Sequence, residues 1–402
     1  MIMEAAVTLL FVFLVLLVLR YALFLWLGYL HHMENRAGAE SDEAIVLPRL
    51  SIIVPVFNEA AVIENALRSL LTLDYPAYDI IVVDDGSTDD TRALASRLEG
   101  SHGRATLRVI CKANGGKASA LNAGIALART PYVVCMDGDS RLTPDALRHA
   151  MRHFADERIA AVAGNVKVVN RNNIWTRLQA LEYIEGLNMP RRAQGFMRVV
   201  NIIPGPIGVF RRDVLQQVGG YETDTFAEDA DVTLKIITAG WHVAYEERAI
   251  AWTEAPETYL DLVKQRYRWT RGILQALRKH ATRRFMRSGD AAARMSLALM
   301  LFESVLWPVA NILGGVAFCV AALGFGATVG VLYWWVLLAM LDVAAALYSL
   351  SMEGEDLQLL PYAFAYRLFF ITMVDVAKLF ATVEELARVP MTWGKLARAG
   401  RI

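Results

Sequence analysis

"YDIIVVDDGSTDDTRALASRL", residues 78–98, decides the fold. Ile80–Val83 is a short, unbroken and largely β-branched run, the mark of a strand buried on both faces, and a strand over 79–83 is expected. An acidic turn follows it, and then a helical pattern. The same plan recurs upstream in "RLSIIVPVFNEAAVIENALRSLL" (49–71). Here a strand over about 50–56 leads to a helix with Asn58 as N-cap and Val62, Ile63, Leu67, Leu70 and Leu71 on one face. Downstream, "LRVICKANGGKASALNAGIALA" (107–128) reads as strand, glycine loop and helix. "PYVVCMDGDSRLTPDALRHAM" (131–151) reads as strand, second acidic turn, and helix capped by Thr143 with Pro144 at its first position. Strand–helix alternation of this kind means an α/β fold with a mainly parallel, doubly wound sheet.

In such sheets ligands bind beyond the carboxyl ends of the strands. Asn58–Glu59, Asp84–Asp85, the Gly115–Lys117 loop and Asp137–Asp139 all follow strands, so they are expected on one rim. A dinucleotide site calls for GxGxxG after the first strand, where "VFNEAA" has no glycine. A Walker loop calls for GxxxxGK[ST], but "CKANGGKAS" has Cys111 in place of the first glycine and Ala118 after the lysine. What remains is acids for a divalent cation and a lysine for phosphate. "DGD" sets two carboxylates two residues apart, a donor set for a hard cation such as Mg²⁺, which commonly bridges to substrate phosphates. A metal-bound nucleoside diphosphate fits this inventory. Taken singly, "DDGS" and "DGDS" are ordinary turns, and the reading rests on their joint placement.

The totals point to a membrane. Of 402 residues, 55% are apolar, too many for one soluble domain of this size. Lys+Arg and Asp+Glu both number 41, and nothing indicates a nucleic-acid partner. Three scattered cysteines, Cys111, Cys135 and Cys319, give neither a disulfide framework nor metal-ligand spacing, which fits a reducing compartment. Cys111 and Cys135 are expected as small core residues. Residues 5–30 are apolar apart from Arg20 and read as a retained anchor, since "MIME" lacks the basic start of a secretory signal. Residues 296–323 and 328–350 read as two further spans. In 359–387, Arg367, Asp375, Lys378 and Glu385 fall within about 80° of one another around a helix. That stripe suits either an interfacial helix or a span facing a polar pore, with preference for the first. Between 264 and 294 there are ten Lys/Arg and one acid, Asp290, which places this flank in the cytoplasm. The tail "WGKLARAGRI" is basic as well, so an even number of crossings is expected between them. Glu303 and Asn311, inside a span, are expected to face the bundle interior. "VKQRYRWTRG" (263–272) sets three arginines and a lysine around two aromatic rings at this lipid boundary.

"VPVFNE", "VVDDGSTD", "NGGKASALN", "MDGDS", "AEDADV" and "QRYRW" resemble, in family order, the motifs of the processive inverting family 2 glycosyltransferases, the group of cellulose, chitin and hyaluronan synthases. The resemblance runs from about 49 to 290, and its spacing and tail are most like those of bacterial poly-N-acetylglucosamine synthases. It implies a GT-A fold and a role for each matching residue. Phe57 would face the uracil, and Glu59 and Asp85 would contact the uridine. Asp137 and Asp139 would hold Mg²⁺ or Mn²⁺, with Asp139 the direct ligand. Asp229 would be the catalytic base, in a motif where Ala227 departs from the family's more usual Thr or Gly. Lys117 and Arg268 would reach the diphosphate, Trp269 the acceptor sugar, and Gln265 would position the acceptor or its own helix. Gly205 and Gly208 in "NIIPGPIGVFRRDVL" would lie beneath the acceptor or serve as turn glycines.

The resemblance further implies a UDP-sugar donor, UDP-GlcNAc before UDP-glucose, and a β-linked polysaccharide extruded across the inner membrane by a multi-pass protein with a cytoplasmic catalytic domain. A small membrane subunit or a periplasmic exporter would be its partner, beside the lipid bilayer and the growing chain. Two alternatives stand: a single transfer to a lipid carrier, or a non-catalytic sugar-nucleotide scaffold. The expected organisation is an N-terminal transmembrane helix (1–30), a linker (31–48) and a glycosyltransferase domain (49–255). Amphipathic interface helices (256–294), a C-terminal membrane region (295–390) and a cytoplasmic tail (391–402) follow.

Overall fold

The computed structural model describes residues 2–39, 47–282, 290–324 and 328–390. Part of the expected linker, Arg283 and Arg284, and the basic tail lie outside the described residues. Among the described residues, nine strands form one sheet: β1 (Leu50–Val56), β2 (Tyr78–Asp84), β3 (Gly100–His102), β4 (Ala105–Cys111), β5 (Tyr132–Cys135), β6 (Ser140–Leu142), β7 (Ile159–Val168), β8 (Gly208–Arg211) and β9 (His242–Thr253). Their spatial order is β3-β4-β2-β1-β5-β8-β7-β9-β6. The β4-β2-β1-β5 half is parallel, so the four predicted strand ends do share one edge. The other half is mixed, because β8 lies antiparallel to both β5 and β7. β1 and β2 are buried along their whole length, which is why neither shows an alternating pattern. Each large apolar side chain there contributes roughly 1.5–3 kcal/mol on leaving water.

Three local expectations change. The helix after β6 starts at Ala146 with Asp145 at its cap, so Thr143 does not cap it and Pro144 precedes it. Asn58 does not cap a helix. It sits in the left-handed region at φ 52, where its Oδ1 accepts from the Thr88 amide at 2.8 Å, and the helix starts at Ile63. Asparagine tolerates this conformation because its short side chain can bond the neighbouring backbone. Cys135 is buried, but Cys111, at the end of β4, is exposed.

Among the described residues, four helices are long and apolar enough to cross a membrane: Glu4–Gly38, Ala291–Gly324, Tyr333–Glu353 and Leu357–Leu386. The first does not stop at residue 30 but continues to Ala39, and its last turns pack on the sheet domain. His31 faces the Tyr245 carbonyl at 3.2 Å and His32 lies 2.7 Å from Glu247, so both dock the helix on the sheet domain. In the fourth helix, the polar stripe turns toward protein: Arg367 pairs with Asp342, Asp375 accepts from Asn311 at 2.8 Å, and Glu385 accepts from Arg271 at 3.0 Å. Both ends of that helix touch the domain, Tyr362 at Arg177 and Glu385 at Arg271, so it lies along the domain instead of leading away from it.

The end of the third span is anchored by buried charge. Glu353 takes Arg192 at 2.7 Å and Lys167 at 3.2 Å, and Glu355 takes Lys167 at 3.0 Å and Arg171 at 2.6 Å. The Glu353 side chain is only 1% exposed. Removing one member of such a network leaves uncompensated charge in a dry site. Glu353→Ala is therefore expected to cost about 3–5 kcal/mol, measured as a fall in unfolding midpoint in detergent, whereas Arg68→Ala on an exposed helix face is expected to cost under about 0.5 kcal/mol.

Candidate functional site

The sheet's polar edge is built by the turns that follow β1, β2, β4 and β5. Asp85 is buried, and its carboxylate accepts from Lys112 Nζ at 2.6 Å and from the Gly115 and Gly116 amides at 3.1 and 2.7 Å. This acid holds the glycine loop in shape. Gly116 has φ +84, a conformation that suits glycine, and it launches the Lys117–Leu127 helix with Lys117 at its first position. Lys117 Nζ then lies 2.6 Å from Asp137 Oδ1 and 2.6 Å from Glu228 Oε1. Burial opposes its charge, but Asp137, Glu228 and Asp229 outweigh that and hold the lysine protonated. Gly205 closes this corner: a Cβ there would stand 2.8 Å from Asp137 and 3.0 Å from Lys117, so "PGP" serves close approach.

Asp229 occupies the first turn of the Glu228–Thr238 helix, with Oδ1 accepting from the Ala230 amide at 2.8 Å. Burial and the adjacent Glu228 push its carboxyl up to about 6, against the pull of Lys117. This helix abuts the Tyr259–His280 helix, which carries "QRYRW". The two approach backbone to backbone: a Cβ on Gly272 would meet the Ala227 amide nitrogen at 2.4 Å. Small residues at both positions make that docking possible, which explains an alanine at 227. Gln275 accepts from the Phe226 amide at 3.1 Å, and Lys279 pairs with Glu222, Asp224 and Asp231. Lys279 therefore staples the cleft loop and is not given over to lipid. Glu222, Asp224 and Asp231 could hold a cation by spacing alone, but the Lys279 ammonium already bridges them.

The two helices and the sheet edge enclose one cleft of about 440 Å³. Lys117, Asp137, Asp139, Asp229, Gln265, Arg268 and Trp269 all line it. Phe57, Glu59 and Asp85 do not line it and sit farther along the rim: Phe57 is partly exposed, and the Glu59 Cγ lies 3.9 Å from where a Gly138 Cβ would stand. Sequence reasoning missed Glu228, although its place beside Asp229 was a signal. It also missed Arg266, which stacks on the Trp269 ring at 4.3 Å while bonding Glu182 at 2.5 Å, and so fixes the indole's orientation. Asp137 and Asp139 offer the hard oxygens that Mg²⁺ or Mn²⁺ prefers, and the Lys117 ammonium on Asp137 shows that this carboxylate accepts positive charge.

Residues 48–272, more than half of the chain, match the model of the glycosyltransferase-like family 2. The chain belongs to glycosyltransferase family 2. Similar proteins include a poly-β-1,6-N-acetyl-D-glucosamine synthase of Staphylococcus epidermidis, 31% identical over 272 residues, covering 67% of this chain and 64% of the relative. A synthase of the same name from Staphylococcus aureus strain COL is 33% identical over 281 residues, covering 69% and 66%. The match thus spans a little under two thirds of each relative's length. Among solved structures, a mannosyltransferase from Pyrobaculum calidifontis in complex with GDP-Man and Mn²⁺ superposes with TM-score 0.63, covering 97% of this chain and 100% of that one. At 22% identity that likeness shows the fold alone, a GT-A-like mixed sheet with flanking apolar helices. Metal dependence is typical of this family.

Gly272→Ala forces a backbone contact apart rather than a flexible side chain. Sugar-nucleotide turnover is expected to fall at least about tenfold, because small displacements of a reacting group are costly. Gly315→Ala, where a Cβ meets nothing within 4 Å, is expected to leave turnover within about twofold.

Proposed function

We propose that this chain is a membrane-embedded processive glycosyltransferase. It transfers a sugar from a UDP donor, UDP-GlcNAc first and UDP-glucose second, to the end of a β-linked polysaccharide. The observation that carries the reading is Asp229, a carboxyl raised to about 6 and set in one cleft with Arg268, Trp269, Lys117 and the Asp137–Asp139 turn.

Trp269 offers the acceptor pyranose an aromatic face, held by Arg266. The acceptor hydroxyl is a poor nucleophile, and Asp229 accepts its proton as the oxygen bonds to the anomeric carbon. The bond from that carbon to the diphosphate breaks with its electron pair, and UDP leaves as an anion. Lys117 and Arg268 stabilise the charge that grows on the phosphates. Asp137 and Asp139 would hold a divalent cation, which supplies further charge neutralisation when bound. A single displacement inverts the centre, so an α-linked donor yields a β-linkage. Phe57, Glu59 and Asp85 take the uridine end of the rim, Asp85 acting through the loop that it holds, and Gln265 supports the acceptor side.

The membrane part of the reading follows from contacts and charge. The basic flank supports a catalytic domain on the cytoplasmic side of the inner membrane. In this reading the N-terminal helix and the two that start at Ala291 and Tyr333 cross the bilayer, and the contacts of Leu357–Leu386 with the domain at both ends support an interfacial place for it. That leaves the even number of C-terminal crossings that a cytoplasmic tail requires. A second cavity of about 100 Å³, walled by Arg20, Tyr21, Glu303, Trp307 and Asn311, shares Leu187 with the catalytic cleft, which supports an exit route for the product on this side. Arg20 and Glu303 pair at 2.7 Å within it.

The test incubates membranes with each radiolabelled UDP-sugar, Mg²⁺ or Mn²⁺, then sizes the product and digests it with linkage-specific glycosidases. A long β-linked polymer from UDP-GlcNAc is expected, and a single-sugar lipid product would sink the processive reading. Asp229→Asn is expected to bind UDP but to lose at least about a thousandfold in synthesis. Because the base acts only when deprotonated, the wild-type rate is expected to fall about tenfold per pH unit below about 6. A rate that is flat from pH 7 to 5 would remove Asp229 from this role.

A further inference from the structure

The helical stretch Ile174–Met197 forms one wall of the catalytic cleft and widens into a π-helical segment at Glu182–Asn188. Such segments recur at functional sites. Tyr183, Leu187 and Arg191, each four residues apart, line the cleft. Glu182 and Glu185 turn the other way, to Arg266 and Tyr21. The paired arginines of "MPRRAQ" have separate fates. Arg192 is fully buried and spent on Glu247 and Glu353. Arg191 is half-buried, and among the described residues its guanidinium has one side-chain partner, Asn188 Oδ1, at a long 3.4 Å. Among the described residues, no carboxylate stands within ion-pair distance of it. Asn188 is itself fixed, buried and donating to the Val166 carbonyl at 3.0 Å, so Arg191 is held over β7.

β7 lies two strands from β5, whose end carries the Asp137–Asp139 turn. Arg191 enters the cleft beside Tyr183, whose ring lies 6.0 Å from the Arg266 guanidinium that stacks on Trp269, and Asp229 is the carboxylate whose charge reaches it. A guanidinium only donates hydrogen bonds, and it seeks an oxygen with two lone pairs in one plane. A carboxylate-bearing sugar would offer one, but the cleft lining holds seven acids (Asp137, Asp139, Glu222, Asp224, Glu228, Asp229, Glu254) against three bases (Lys117, Arg191, Arg268), which disfavours an anionic acceptor. A neutral carbonyl oxygen meets both conditions.

We propose that Arg191 is a specificity-determining residue of the acceptor subsite, donating to the acyl carbonyl oxygen of an acylamino sugar stacked on Trp269. This rests on the glycosyltransferase reading above and deepens it by naming the acceptor class. A site built to bond a polar substituent rejects an analogue that lacks it, because the buried donor is then left unpaired.

The test uses the full-length protein in detergent with labelled UDP-GlcNAc and two acceptors, a β-linked N-acetylglucosamine oligomer and its de-N-acetylated form. Wild type is expected to prefer the acetylated acceptor by at least about thirtyfold in kcat/KM. Arg191→Ala is expected to raise the KM for that acceptor about tenfold or more and to shrink the preference to about threefold or less. Arg191→Lys, a point charge without the fork, is expected to fall between. UDP affinity checks that the variants fold. If Arg191→Ala keeps the wild-type preference, or loses UDP affinity in step with acceptor use in both variants, the assignment is overturned while the glycosyltransferase reading stands. Wild-type protein that releases no UDP from any donor overturns that reading and this assignment with it.

Discussion

Two helices meet at Gly272 with no side chain larger than the Ala227 methyl between them, and the site depends on that contact. On one side is the backbone of Phe226 and Ala227, which leads directly into Glu228 and Asp229; on the other is the helix that carries Gln265, Arg268 and Trp269. Because the contact is backbone to backbone, the distance between the acid and the arginine–tryptophan pair is set by main chain, which is stiffer than side-chain packing. The same helix is fastened outward, Tyr267 to Glu384 and Arg271 to Glu385, and downward, Lys279 to the cleft loop. One element thus joins the membrane-facing helix to the sheet edge.

Electrostatics follows from this placement. Seven acids and three bases share one cleft, so each carboxylate feels its neighbours. Lys117, wedged between Asp137 and Glu228, offsets part of that repulsion. Asp229 is one residue beyond the lysine's reach as an ion pair, and its carboxyl rises to about 6. That value suits a group that must take a proton near neutral pH and then give it up. The π-helical wall, through Tyr183, Leu187 and Arg191, and Trp269, stacked on Arg266, complete the cleft.

Much of this was legible in the residues. The parallel half of the sheet announced itself through "IIVV"-type runs, because strands buried on both faces need no alternation. Turns after parallel strands must share an edge, so the convergence of Asp137, Asp139 and Lys117 followed from connectivity. The mixed half was hidden, since β8 is four residues long and its antiparallel insertion depends on tertiary packing. Asn58 misled because an N-cap and a left-handed turn favour the same residue type. The pairing of Lys279 was hidden because its partners, Glu222 and Asp224, lie more than fifty residues away in sequence. The polar stripe of the last apolar helix was visible, but its partners Asp342 and Asn311 were not, because pairing between helices leaves no periodic signal in either one.

The central claim is that distant acids and the arginine–tryptophan helix form one nucleotide-sugar cleft. The most direct measurement is an electron cryo-microscopy structure of the full-length protein with UDP and Mn²⁺. The account predicts the diphosphate and metal between the Asp137–Asp139 turn and Arg268, within the cleft that Lys117 and Asp229 also line. Nucleotide bound elsewhere, such as the separate cavity beneath the N-terminal helix lined by His31, Arg152 and His242, with the catalytic cleft left vacant at saturating UDP, would contradict it.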